Sequence, residues 1–113
     1  MSFKIKDQIG KEIEVSLDEE SNGRIKFTPG FNYGNGGCIW WIEPSFEMCF
    51  APDVAENVAQ VWGSFPEDKK HLLRDVLQKA QVCVQTWEIR DASDKQYQDK
   101  VHRICEQFLN KGE

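Results

Sequence analysis

The chain has 113 residues, of which 40% are hydrophobic, including 4 Trp and 7 Phe. That is enough apolar material for one domain, residues 1–113, to fold around its own core without metal or disulfide, and it excludes a disordered chain. The formal net charge is −5, from 19 acidic and 14 basic residues, which argues against direct nucleic-acid binding, because contact with a phosphate backbone needs a basic face.

Met1 is followed by Ser2, Phe3 and an alternation of polar and apolar residues, not by a signal-peptide pattern. No apolar run approaches the roughly 18 residues of a membrane span. The expectation is a cytoplasmic protein without membrane association. Cys38, Cys49, Cys83 and Cys105 show no C-x-x-C spacing, so no metal site is signalled. In a reducing compartment they read as reduced thiols. No cofactor is expected.

The first strand signal is Phe3–Asp7, where Phe3 and Ile5 alternate with Lys4 and Lys6. After a break at Gln8-Ile9-Gly10, Ile13, Val15 and Leu17 point one way, and Glu12, Glu14, Ser16 and Asp18 the other. A return strand spans Arg24–Thr28, with Ile25 and Phe27 inward. Opposed side chains must share a face, so the connecting loop needs an odd number of residues. A three-residue loop Ser21-Asn22-Gly23, with Gly23 left-handed, meets that condition. It sets Glu20 opposite Arg24 and Asp18 opposite Lys26.

Pro29-Gly30 is read as ending that strand. Phe31–Gly37 (FNYGNGG) then reads as a flexible loop carrying two aromatic residues. It matches neither a phosphate-binding loop nor a dinucleotide fingerprint, since no helix follows. Cys38–Ile42 is apolar on both faces, as in a strand covered on both sides or covered on one side by a partner. Phe46, Met48 and Phe50 alternate and give a last strand.

Asp53 and Glu56 have capping-box spacing and open a helix with Val54, Ala55, Val58, Ala59 and Trp62 on one face. Ser64-Phe65-Pro66-Glu67 starts a second helix, whose stripe runs through Leu73, Val76, Leu77, Ala80, Cys83 and Val84 to about Trp87, although Val82–Ile89 also alternates, with β-branched residues, as a strand would. Ser93 or Asp94 caps a third, with Tyr97, Val101, Ile104, Cys105 and Phe108 on its apolar face. Asp99 and Arg103 have the spacing of a favourable pair. The fold class is therefore α+β: an antiparallel meander sheet of four to five strands in the N-terminal half, packed by about three C-terminal helices.

No catalytic set stands out. The two histidines, His71 and His102, are not brought by sequence to a cysteine. Glu43 and Glu47 flank the tryptophan strand, but sequence neighbours alone do not raise a carboxyl pKa. The stronger pattern is aromatic. Adjacent Trp40 and Trp41 on a strand point to opposite faces, so one of them should lie away from the helices. An exposed tryptophan beside Phe31 and Tyr33 has the composition of a protein-binding hot spot. Glu12, Glu14 and Asp18 form an acidic strip that would steer a basic partner, such as a nuclease or toxin.

These features lead to an expectation of a non-catalytic cytosolic binding module of the inhibitor or toxin-immunity type, which occludes a partner protein. Its anchors would be Phe31, Tyr33 and Trp41, and its steering charges Glu12, Glu14 and Asp18. The alternative is a small-ligand or nucleotide pocket, enzymatic or not, built on loop 31–37. A homodimer through the tryptophan strand is a further reading.

Overall fold

Alternating apolar residues build a four-stranded antiparallel sheet in a computed structural model that describes residues 2–18, 20 and 23–109. The strands are β1 (Ser2–Lys6), β2 (Glu12–Asp18), β3 (Arg24–Gly34) and β4 (Gly37–Ile42), and they lie in the order β1-β2-β3-β4. Three α-helices follow: α1 (Ala51–Val61), α2 (Lys70–Thr86) and α3 (Ala92–Leu109). Strands precede helices, and the fold is the α+β meander that the patterning predicts.

One face of the sheet supplies Ile5, Ile13, Val15, Ile25, Phe27 and Phe31 to a core cluster shared with the helices. Phe65, in the link between α1 and α2, joins the two layers. Its ring meets Phe3 edge-on at 5.4 Å and Phe27 at 6.3 Å between centroids. Val58, Leu73, Leu77, Val84 and Val101 close the core from the helix side.

Three departures from the sequence reading matter for the site. The first is the β2–β3 register. Asp18 faces Arg24, and Ser16 faces Lys26, so the connection is two residues longer than the expected Ser21-Asn22-Gly23. A shift of two preserves the faces, so the parity argument holds while the length does not. Ser21 and Asn22 lie outside the described residues; Gly23 is left-handed, with φ of 81°. The observed ladder ends with Glu14 opposite Thr28, immediately before Pro29.

The second departure is the continuation of β3. Pro29 and Gly30 do not end it, because they occupy a gap between two ladders. Pairing with β2 stops at Thr28, and pairing with β4 resumes at Phe31 opposite Ile39. Residues 31–34 are therefore strand, not loop. The turn is only Asn35-Gly36, with φ of 51° and 78°, the left-handed pair that a two-residue type I′ hairpin requires.

The third departure lies at Phe46–Phe50, which forms no strand. Residues 43–50 are an irregular link in which the Ser45 hydroxyl accepts the Glu47 N–H at 3.1 Å. Met48 is buried, and Phe46 and Phe50 are not. α1 begins at Ala51, with Phe50 at its cap, so Asp53 falls inside the first turn instead of capping it. The Ser64–Glu67 start signal leads first to a short 3-10 turn, Glu67–Lys69. α2 stops at Thr86, leaving Trp87 extended and partly exposed, and 82–86 are helical. α3 is capped by Asp91, which accepts the Asp94 N–H at 3.1 Å, and Asp99 pairs with Lys95 at 3.1 Å.

Candidate functional site

A defect in the β3–β4 ladder creates the most distinctive surface. Ile42 faces Ile25 and Trp41 faces Lys26, but the next pair is Ile39 with Phe31. Four residues of β3, Phe27–Gly30, thus stand against Trp40 alone. Such a bulge breaks the alternation of side chains. Ile39 and Ile42 both turn to the core, and Trp40 and Trp41 both turn outward, 56% and 51% exposed. The expectation of one tryptophan on each face is corrected by this bulge. Gly30 makes room for it: a Cβ there would collide with Cys38 Sγ and come within 3.0 Å of the Trp40 ring.

The aromatic surface continues beyond the strand. Phe46 and Phe50 are 65% and 54% exposed. With Trp41 they line a cleft of about 440 Å³ between the end of β4, the 43–50 link and the start of α1. Glu43, Glu47 and Asp53 lie on the same cleft. Phe46 also borders a second, mostly apolar cleft of about 370 Å³, completed by Val82, Cys83, Thr86 and Trp87 of the α2 end. A shallower hollow under Trp40 and Trp41 reaches Asn57 of α1. Trp40, Trp41, Phe46, Phe50 and Trp87 therefore border a connected series of hollows.

The expected anchors divide. Trp41 is exposed, with the Arg24 guanidinium 5.9 Å from its ring centre. Phe31 is fully buried, packed against Phe27 at 6.1 Å, and cannot be an anchor. Its strand position, not a loop, puts it in the core. Tyr33 is half-buried and its ring lies over Gly37. None of the clefts described here is lined by residues 31–37.

The acidic strip is present on the outer face of β2, but it is answered by cross-strand cations. Lys4 reaches Glu12 at 3.3 Å, while Arg24 and Lys26 reach Asp18 at 3.2 and 3.8 Å. Glu14 sits opposite Lys4 on one side and Thr28 on the other. The face is thus mixed in charge, and these pairs serve register more than stability.

Nucleophilic chemistry finds no support in the cysteine that shares a hollow with a histidine. Cys105 and His102 line the same small cleft. Burial pushes the Cys105 thiol up to about 11, and its S–H donates to the Leu77 carbonyl at 3.5 Å. That is the opposite of an activated thiolate. Burial also raises the Cys83 thiol, with Cys49 adding to the effect. Among the described residues no group of three or more His, Cys, Asp or Glu could hold a metal ion. No helix among them is long and apolar enough to cross a membrane.

The sequence reading missed Trp40, Phe46 and Phe50 as surface residues. The available signal was the Glu43-Pro44-Ser45 break before Phe46, which argues for an irregular link. Comparison of the chain with protein-family models, curated proteins and solved structures finds no match.

Proposed function

We propose that this protein is a non-catalytic binding module that acts by covering a site on a partner protein, as inhibitor and immunity proteins do. The supporting observation is the group of four large aromatic side chains, Trp40, Trp41, Phe46 and Phe50, each more than half exposed, arranged around adjoining clefts. Holding such side chains in water is unfavourable, at about 25 cal/mol per Å² of apolar surface. Contiguous patches of this kind mark interaction sites. Tryptophan is also the residue most enriched among those that dominate interface energies. The anchors in this reading are Trp40 and Trp41, in place of Phe31 and Tyr33.

The test is affinity purification of the tagged protein from its native host, in parallel with a Trp40→Ala/Trp41→Ala variant and a Glu12→Gln control. A stoichiometric partner should be retained by the control. The double variant should lose at least about 2 kcal/mol of affinity, roughly 30-fold, by calorimetry. Unchanged affinity in a variant whose circular dichroism matches wild type would refute the reading.

A further inference from the structure

Charge is spread unevenly over the molecule. Glu12, Asp18, Glu67, Asp94 and Asp99 each have a Lys or Arg within 3.3 Å, and Glu56 is paired with Lys100. Glu14, Asp68, Asp75, Glu88, Asp91 and Glu106 join no ion pair among the described residues, but the cleft between β4 and α1 is set apart by gathering three acids among aromatic side chains. Glu43, Glu47 and Asp53 all lie on it, no Lys or Arg lines it, and none of these three acids joins an ion pair among the described residues. Among the described residues the Glu47 carboxylate receives only a long contact from the Cys49 thiol, at 3.8 Å. Around these acids stand Trp41, Phe46 and Phe50.

An anion in this cleft would meet three carboxylates. A purely apolar group would strip water from them without replacing its hydrogen bonds. A cation satisfies both components, pairing with the carboxylates and lying against ring faces of negative potential. Trp41 already accepts one guanidinium, that of Arg24, from within the chain. The adjacent backbone indicates what carries the cation. β4 pairs only with β3 among the described residues, so its other edge presents unpaired N–H and C=O groups. An extended segment added along that edge would deliver a side chain to the cleft beside it.

We infer that this cleft seats a lysine or arginine side chain from an extended segment of a partner protein laid along β4. The inference rests on the protein-binding reading above and specifies the chemistry of its partner. The basic partner is recognised by the acids around this cleft, not by the strip on β2, where Glu12 and Asp18 already hold cations.

The probe is a short synthetic peptide alternating lysine with valine, compared with a matched glutamate–valine peptide and with spermidine. Binding is followed by tryptophan fluorescence and by amide chemical shifts of the full chain. The lysine peptide should bind and move the amides of Gly37–Ile42, Glu43–Phe50 and Asp53–Asn57. Glu43→Gln/Glu47→Gln should weaken it at least about tenfold at low salt, and Glu12→Gln/Glu14→Gln, with the same change in net charge, should not. Equal loss in both variants, shifts centred on β2, binding of spermidine alone, or no binding would overturn the assignment. The shift map decides the matter even if a variant fails to fold. A captured partner that survives Glu43→Gln/Glu47→Gln but is lost with Trp40→Ala/Trp41→Ala overturns the cationic assignment alone. Survival in both also overturns the reading that Trp40 and Trp41 anchor the partner.

Discussion

Asp7 shows how one side chain can organise a turn. It is buried, and its carboxylate accepts the N–H groups of Ile9 at 3.1 Å and Lys11 at 2.8 Å, with the Asn32 amide at 3.4 Å. It thereby closes the β1–β2 turn and ties it to β3. Burial disfavours its charge, but the hydrogen bonds from Lys11, Ile9 and Asn32 outweigh that and hold the carboxyl below its ordinary 3.8. A depressed folded-state pKa contributes stability that is present above the unfolded value and lost as pH falls through the folded one. Asp7→Asn should therefore lower the urea midpoint at pH 6, and the gap from wild type should shrink below about pH 4. A gap that stays constant down to pH 2 would show that the charge contributes nothing. In sequence Asp7 is only the end of a strand; Asn32 is 25 residues away, and no local pattern connects them.

At the scale of the element, the β3–β4 hairpin decides what the surface contains. Its Asn35-Gly36 turn has an ordinary type I′ signature, legible in the sequence but obscured by the surrounding glycines. The bulge was not legible, because it depends on two strands failing to match in length between fixed pairs. Gly30 is the residue that permits it. Gly30→Ala must push aside the Trp40 ring or the Cys38 thiol, which should destabilise the protein by about 1–3 kcal/mol. It should also shift the tryptophan emission, since Trp40 would be displaced. Wild-type stability together with an unchanged emission spectrum would show that the contact is looser than the geometry indicates.

For the molecule as a whole, the junction between sheet and helices is the sensitive point. α1 contacts β3 and β4, and Phe65 reaches from the α1–α2 link to the Phe3 and Phe27 rings. Phe65→Ala should cost about 3–5 kcal/mol in a denaturant titration, with little change in slope. A loss below about 1 kcal/mol would mean that the helical layer packs on the sheet without it. The Lys100–Glu56 pair between α3 and α1 is a surface ion pair and should matter far less.

The sequence by itself determined the α+β class, the strand-before-helix order, the inward faces of β1, β2 and the first part of β3, and the stripe that buries α2. These follow from periodicities of two and 3.6, which are local properties of the chain. Parity alone also fixed the face relation across the β2–β3 turn, although not its length. Only the tertiary structure decided that both tryptophans face outward, that Phe31 is core and Phe46 is surface, and that Glu12 and Asp18 of β2 are paired with cations while Glu43, Glu47 and Asp53 join no ion pair among the described residues. Each of these depends on which strand, at which register, lies beside a given residue, and that is set by long-range pairing between segments whose local patterns permit more than one register.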